Sequence, residues 1–207
     1  MLDYSNSTIP VTLEMETAAK TFVDLLDPVT DEAEVIKFDQ DIAVMQPFTE
    51  NQVALKAAID AAPPNLPRSG THLYDALWQS IISTSLRSNP QLAIVAVSDG
   101  QDDLSTRTIE EVTAAAASSN VRIFTIGIGN VDNTVMQQLA TETGGQYFFT
   151  PNISDLETVY ATISEILSNE YAIEFTTSSV AGDTISITVV VDDGGQLGEF
   201  SITNVVL

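Results

Sequence analysis

The sequence predicts an α/β protein with a doubly wound, mostly parallel central sheet, one antiparallel edge strand and helices on both faces. Stretches with helical spacing of apolar residues alternate with short apolar runs along most of the chain. Two runs, residues 92–97 and 121–128, are almost continuously apolar, which is typical of parallel strands buried on both faces. Two others, residues 34–38 and 42–48, are separated only by a tight turn, which indicates an antiparallel hairpin.

Each element follows from its local pattern. Helices are predicted where apolar residues recur at intervals of three and four and where Pro, Gly or Asp ends the pattern. They cover residues 11–26, 51–61, 71–86, 108–119, 133–143 and 154–168. Strands are predicted where apolar and β-branched residues run without that spacing. They cover residues 34–38, 42–48, 92–97, 121–128 and 146–149.

The pattern changes near residue 169, and this change sets the predicted domain boundary. Residues 1–169 form the α/β domain. Residues 170–207 form a small C-terminal β extension without a helical pattern. Three strands are predicted in it, at residues 171–176, 184–191 and 199–205, because Gly-containing turns separate three β-branched stretches.

The charge excludes some partners. The chain has 29 acidic and 7 basic residues, a formal net charge of −22, so it lacks the basic surface that nucleic acid binding requires. Anionic membranes are disfavoured for the same reason, and the apolar runs are too short for direct membrane insertion. Cysteine is absent, which excludes disulfides, thiolate zinc sites and cysteine nucleophiles.

Three separated segments carry oxygen-bearing side chains. The first holds Asp3, Ser5 and Ser7; the second is Thr71 at the start of a predicted helix; the third is Asp99 directly after a buried strand. Ligands of doubly wound sheets bind beyond the carboxyl ends of the strands, where the strand order reverses. If the strands before Asp3 and Asp99 are neighbours at that reversal, both carboxylates converge on one crevice, with the hydroxyls of Ser5 and Ser7 in the adjoining loop.

Such a cluster has a definite chemistry. Oxygen ligands suit hard cations such as Mg²⁺, Mn²⁺ or Ca²⁺ and argue against zinc or copper. The two carboxylates only balance one divalent ion. If either of them acts through water, the ion stays electron-poor and keeps an open position that attracts an outside carboxylate. The cluster is therefore interpreted as a receptor for an acidic side chain of another protein.

These residues resemble the metal-ion-dependent adhesion site (MIDAS) of the von Willebrand factor A (VWA) family. That family's Asp-x-Ser-x-Ser, distant Thr and strand-terminal Asp-Gly are matched by Asp3, Ser5, Ser7, Thr71 and Asp99. The resemblance implies a Rossmann-like fold, one divalent cation with Mg²⁺ favoured, and binding of a protein ligand that presents Asp or Glu. It implies an adhesion or interaction module and not an enzyme.

Two further stretches resemble the same family. Residues 121–129 are similar to its fifth strand, and residues 139–148 to its last passage from helix to strand. The resemblance covers residues 1–169. Together with the short Thr- and Val-rich strands of the β extension, it indicates part of a larger bacterial surface or secreted protein, in an extracellular or cell-envelope setting.

One departure concerns the first strand. The family has an apolar strand before the motif, whereas only Met1 and Leu2 precede Asp3. We expect this strand to be cut short at the N-terminus and the natural protein to continue before Met1. The alternatives are that Val205-Val206-Leu207, or a neighbouring chain, fills the slot in the sheet.

Other interpretations stay open from sequence alone. Ser5 and Ser7 could form an ordinary polar turn, and Thr71 could cap its helix. The domain could be structural, with an empty or vestigial metal site. A metal-dependent hydrolase is the remaining alternative, with Asp102 or Asp103 as general base; otherwise these two residues are expected to be surface charge.

Overall fold

The computed structural model describes residues 1–64, 69–89, 91–150, 155–168, 184–193 and 196–206. The chain separates into two compact units, Met1–Glu170 and Tyr171–Leu207. The predicted boundary after residue 169 and the predicted strand at residues 171–176 lie outside the described residues.

The first unit alternates strands and helices as the sequence predicts. Its strands are β1 (Leu2–Asp3), β2 (Ala33–Phe38), β3 (Ile42–Thr49), β4 (Leu92–Ser98), β5 (Val121–Ile128) and β6 (Tyr147–Thr150). Its α-helices are α1 (Thr12–Leu25), α2 (Gln52–Asp60), α3 (Leu73–Ser85), α4 (Ile109–Ser118), α5 (Asn133–Thr141) and α6 (Leu156–Ser168). A 3₁₀ helix, Asn6–Val11, precedes α1 and was not predicted, because so short a polar segment shows no apolar period.

The strands form one six-stranded sheet in the order β3-β2-β1-β4-β5-β6. Strand β3 pairs antiparallel with β2 at one edge, and every other pairing is parallel. The predicted fold class is therefore confirmed. The strand order grows outwards in both directions from β1 and β4, so the carboxyl ends of these two strands mark the switch point.

Helices cover both faces of this sheet. Helices α1, α2 and α6 pack on one face, where Met15, Leu55 and Tyr160 are buried against alternate strand residues such as Val97. Helices α3, α4 and α5 pack on the other face, where Leu77, Val112 and Leu139 meet the intervening strand residues. Alternate residues of a strand point to opposite faces, so two apolar layers explain the continuous apolar runs.

Strand β1 occupies the centre of the sheet although it has only two residues. Leu2 lies opposite Lys37 of β2 on one side and opposite Val97 of β4 on the other. The alternative that residues 205–207 fill the slot is not supported for Val205 and Val206, which pair with Ile185 and Thr184. Leu207 lies outside the described residues.

The second unit contains an antiparallel hairpin. Strand β7 (Thr184–Asp193) pairs with β8 (Gln196–Val206), and Val205 lies opposite Ile185. Both strands fall where two of the three strands of the β extension were predicted. They are longer than predicted because the pairing continues to Asp193 and Gln196 beside the turn.

Candidate metal centre

Asp3 and Asp99 lie at the switch point of the sheet. Asp3 ends β1, and Asp99 directly follows β4, the parallel neighbour of β1. Both side chains are buried, with 0% and 2% of Asp3 and Asp99 exposed. Burial is the main cause that raises the pKa of Asp3, and the charge of Asp99 adds to it. The parallel pairing of β1 with β4 confirms that the two strands are neighbours, the condition under which both carboxylates converge.

The carboxylate of Asp3 is held from two sides. The Ser98 hydroxyl donates to Oδ2 at 2.6 Å, and the Ser5 N–H donates to Oδ1 at 2.8 Å. Burial raises the pKa of Asp3 to about 6, although both hydrogen bonds oppose that rise. Asp3 therefore takes up a proton close to neutral pH, and a bound cation would compete with that proton.

The turn after Asp3 gathers the two predicted serines. The Ser5 and Ser7 hydroxyl oxygens are 3.1 Å apart, with Ser5 buried and Ser7 exposed. The Thr8 hydroxyl donates to the backbone carbonyls of Asp3 at 2.8 Å and Ser5 at 3.0 Å. Thr8 thus closes the turn, a role that the sequence analysis missed.

Tyr4 anchors this turn to the core. Its hydroxyl donates to Glu16 of α1, and the ammonium of the buried Lys37 lies 4.3 Å from its ring centroid. Lys37 in turn donates to the carbonyls of Ile59 at 2.5 Å and Ala61 at 2.7 Å, at the end of α2. Because Tyr4 lies between Asp3 and Ser5, these contacts hold the turn in place.

The two carboxylate oxygens of Asp99 differ in their hydrogen bonding. Its Oδ1 accepts from the Gln101 N–H at 3.1 Å, whereas its buried Oδ2 has no hydrogen-bond partner among the residues that the structure describes. A buried unpartnered carboxylate oxygen is costly, and a cation is the partner that its charge prefers. Gly100 permits the turn, since its φ of +78° is unfavourable for residues with a side chain.

Thr71 is buried where the chain enters α3, and the loop after β4 holds its backbone. Its N–H donates to Asp103 Oδ1 at 2.6 Å, and its carbonyl accepts from the N–H groups of Asp103 and Leu104, each at 3.2 Å. These bonds link the Thr71 segment to the loop carrying Asp99. That the Thr71 hydroxyl is itself a ligand stays a prediction.

Asp103 is exposed, as expected of surface charge, and Asp102 is half-buried, yet both carboxylates also accept hydrogen bonds. Besides the bond from Thr71 to Asp103, Asp102 Oδ1 accepts from the Ser105 hydroxyl at 2.6 Å and from the Tyr74 N–H at 3.3 Å. Carboxylates that bind N–H groups at a helix N-terminus are stabilised by the helix dipole. Both residues therefore fasten the loop to the start of α3.

The donor set fits a hard cation. Within the described ranges, no three His, Cys, Asp or Glu side chains group as a metal site. The predicted residues offer two carboxylates and three hydroxyls, all of them oxygen ligands of the kind that hard cations prefer. The assignment of Asp3, Ser5, Ser7, Thr71 and Asp99 as ligands remains a proposal, supported by the open oxygen of Asp99.

Ser98 is the residue that sequence reasoning passed over. It lies in the Ser-Asp-Gly triplet at the end of β4, where a polar residue terminating an apolar strand was the available signal. Its hydroxyl both donates to Asp3 and accepts from the Gly100 N–H at 3.0 Å. Ser98 thus connects the two carboxylate-bearing loops.

The Ser98→Ala variant should bind cations more weakly and with a shifted pH profile. In the wild type, affinity should fall as the pH falls through about 6, because Asp3 becomes protonated. Loss of the Ser98 bond raises the pKa of Asp3 further, so the fall should begin at higher pH. Calorimetric titration with Mn²⁺ between pH 5 and 8 measures the affinity as a function of pH.

The control is Ser118→Ala, in an exposed part of α4. If the affinity depends on pH in the same way in the wild type and both variants, the role given to Ser98 is contradicted.

The fold and the site together define a doubly wound α/β domain with oxygen-rich side chains at its switch point. The family model for the von Willebrand factor type A domain matches residues 1–162. The chain therefore belongs to the von Willebrand factor A family, as its motif predicts.

The chain is also similar to individual known proteins. The chain is similar to a UPF0353 protein from Mycolicibacterium paratuberculosis, with 26% identity over 74% of this chain and 53% of the relative. It thus spans about half the length of this curated relative. Among solved structures it is similar to the vWF domain of the type V pili tip protein Mfa5 from Porphyromonas gingivalis. That match has a TM-score of 0.67 and 13% identity, over 86% of this chain and 96% of the pilus domain.

A second solved structure is proximal thread matrix protein 1 from the mussel byssus, described with a zinc-occupied MIDAS motif. The TM-score is 0.64 and the identity 21%, over 80% of this chain and 46% of the mussel protein. At these identities both structural matches establish the fold. No helix in the described parts of this chain is long and apolar enough to cross a membrane.

Proposed function

We propose that this domain is a divalent-cation-dependent protein-binding module that captures an acidic side chain of a partner at the metal. The observation that carries the proposal is the buried pair Asp3 and Asp99, in which Asp99 Oδ2 receives no hydrogen bond from the described part of the chain. The domain's membership of a family of interaction modules supports it.

The proposed cation is held by Asp3, Ser5, Ser7, Thr71 and Asp99. Two carboxylates neutralise one divalent ion, and the hydroxyls add no charge, so the ion stays attractive to a third carboxylate. The exposure of Ser7 supports a site that a partner can reach from solvent. The Asp or Glu of a protein partner is therefore the expected ligand of the open position.

Mg²⁺ is the ion that we propose, with Mn²⁺ and Ca²⁺ as substitutes for it. The mussel protein described with zinc in its MIDAS motif makes Zn²⁺ a necessary comparison, although an all-oxygen ligand set favours harder ions. The metal supplies Lewis acidity to hold a carboxylate. The residues of this chain would hold the metal in position and would offer it only oxygen ligands.

We place the domain in a larger protein at the cell envelope or outside the cell. Its similarity to half of the mycobacterial relative and to a pilus tip domain supports this setting. We further propose that the domain does not act as an enzyme. Asp102 and Asp103, the acids considered as general bases, already accept backbone hydrogen bonds from Tyr74 and Thr71.

The open position can be tested directly with Mn²⁺. Bound Mn²⁺ with inner-sphere water should enhance water-proton relaxation, and glutarate, as a soluble carboxylate, should reduce that enhancement in a saturable way. Glycerol at the same concentration is the control because it carries hydroxyls without charge. Discrete Mn²⁺ binding with no response to glutarate contradicts carboxylate capture, whereas no discrete binding supports a vestigial site.

A further inference from the structure

Helix α3 carries large apolar side chains beyond the face that packs on the sheet. At intervals of four residues, from the first turn of the helix to its C-cap, lie Tyr74, Trp78, Ile82 and Leu86. Tyr74 and Trp78 are half-buried, whereas the other two are 52% and 76% exposed. Because residues four apart are neighbours on a helix surface, these side chains form one row, here called the α3 ridge. It runs from the edge of the core into solvent over about 18 Å.

This ridge is more than a set of scattered surface residues. Single apolar side chains are common on the surface of soluble domains, but contiguous apolar patches mark interaction sites. The core side of α3 is formed by other residues, among them Leu77 and Ile81, so the exposed Ile82 and Leu86 do not hold the helix on the sheet. The ridge also contains Trp78, the single tryptophan of the chain, and Trp and Tyr are enriched among the residues that dominate protein interfaces.

The side chain of Trp78 is fixed in place in the free protein. The Arg107 guanidinium lies over its ring, 4.0 Å from the centroid, and pairs with Glu111 at 3.5 Å. The backbone of Arg107 is held in turn by the carboxylate of Asp75, which accepts from the N–H groups of Thr106 and Arg107, each at 3.0 Å. A side chain that is already ordered loses less conformational entropy on binding, so Trp78 is suited to anchor a partner.

The shape of the ridge selects a helix as its partner. A row of side chains at intervals of four packs into the groove between the corresponding rows of a second helix, in the commonest class of helix packing. An extended segment would need free backbone groups at a sheet edge, whereas the backbone groups inside α3 are bonded within the helix. A second copy of this chain is disfavoured, because each copy has a net charge of −22.

The charges around the ridge select the sign of that helix. Three carboxylates act on Tyr74 at the start of the ridge, those of Asp102, Asp132 and Glu110. Burial is the main cause that raises the pKa of Tyr74, and the three charges add to it. A basic side chain of a partner is attracted to this end of the ridge, and an acidic one is repelled.

We propose that the α3 ridge docks an amphipathic helix of a partner protein, whose apolar face crosses Trp78, Ile82 and Leu86 and whose Lys or Arg side chains lie at the acidic end near Tyr74. The docking needs no metal, so it is separate from the carboxylate capture proposed above. It gives the domain a second interaction surface, on a helical face instead of at the switch point of the sheet.

The test uses the fluorescence of Trp78, because this single tryptophan reports on the ridge itself. The probe is acetyl-Lys-Leu-Ala-Lys-Leu-Leu-Ala-Lys-Leu-Ala-Lys-Leu-Leu-Ala-Lys-Leu-amide, which places Leu on one face of a helix and Lys beside it. It is titrated into the full chain in chelator and at physiological salt, which screens loose binding to the acidic surface. We expect a saturable shift of the Trp78 emission to shorter wavelength, as the indole leaves water. The same peptide with Glu in place of Lys should bind at least about tenfold more weakly.

Charge-reversing substitutions on the ridge separate docking from simple electrostatic attraction. Ile82→Asp and Leu86→Asp should each weaken binding of the Lys peptide by about tenfold or more, since each places a charge under its apolar face. Val53→Asp, on α2, adds the same charge at a position that is 78% exposed and is the matched control, with unchanged affinity expected. Loose attraction to negative charge would instead strengthen binding to all three variants. Each substituted residue is exposed, so the variants should keep the Tm of the wild type.

Four results overturn the proposal. One is the absence of a saturable response of Trp78 to the Lys peptide, and another is equal affinity for the wild type, Ile82→Asp and Leu86→Asp. The third is equal binding of a peptide of the same composition in which Leu alternates with Lys and Ala, which assigns the ridge to an extended segment. The fourth is a dimer of the free protein in sedimentation that Ile82→Asp dissociates, which assigns the ridge to a second copy. Because chelator removes metal throughout, none of these results bears on the proposed metal site.

Discussion

Replacement of Asp99 by Asn should abolish saturable cation binding, weakening Kd by on the order of 100-fold or more. Asn keeps the shape of Asp99 but removes the charge and replaces one carboxylate oxygen by an N–H₂ group, which repels a cation. Asp99 Oδ2 is a buried oxygen to which no described residue donates a hydrogen bond, so this substitution changes the group that is open to a cation. Calorimetric titration of metal-stripped protein with Mg²⁺, Mn²⁺, Ca²⁺ and Zn²⁺ in high salt measures the change.

The same variant separates loss of binding from loss of folding. Neutralising a buried charge that lacks a partner should leave the metal-free protein as stable as the wild type or more stable. The pKa of Asp3 should fall, since the charge of Asp99 raises it. Asp24→Asn removes an exposed carboxylate paired with Lys56 and is the matched control. Equal titration curves for Asp99→Asn and wild type refute the assignment of the site.

Replacement of Gly145 by Ala should destabilise the domain by about 3 kcal/mol or more, lowering Tm by about 6–12 °C. A Cβ at this position would lie 2.1 Å from the carbonyl oxygen of Ile123 and 2.6 Å from its carbon. These are backbone atoms in the middle of β5, so they cannot move without disturbing the sheet. The Gly145 N–H also closes the end of α5 by donating to the Ala140 carbonyl at 2.9 Å. Urea denaturation monitored by the fluorescence of Trp78 gives the free energy of unfolding.

Gly129→Ala is the control for conformational strain alone. Gly129 has a φ of +73°, yet a Cβ there would meet nothing within 4 Å. Its replacement should cost about 1 kcal/mol, the penalty for a left-handed conformation without a clash. If both variants lose the same stability, close packing between Gly145 and β5 is not the reason for glycine at that position.

Much of the fold could be predicted because its helices and strands have a recognisable local spacing of apolar residues. The apolar runs at β4 and β5 predict buried parallel strands, and the turn between β2 and β3 predicts the antiparallel edge. The metal-ligand proposal also began from short motifs, since Asp3, Ser5 and Ser7 lie within one turn. These features depend on residues close in sequence, whose spacing is visible in the chain itself.

The remaining features depend on which distant segments become neighbours. Ser98 acts on Asp3 across a separation of 95 residues, and Asp103 binds Thr71 across 32, so neither role has a local signature.

By itself, then, the sequence determined the α/β class, the order of elements and the oxygen-bearing residues proposed to bind a cation. Only the tertiary structure decided that Asp3 and Asp99 lie on neighbouring strands, that Ser98 donates to Asp3, and that no described residue donates a hydrogen bond to Oδ2 of Asp99. The physical reason is that burial, hydrogen-bond satisfaction and strand register are properties of contacts between segments. Periodicity within a single segment cannot encode them.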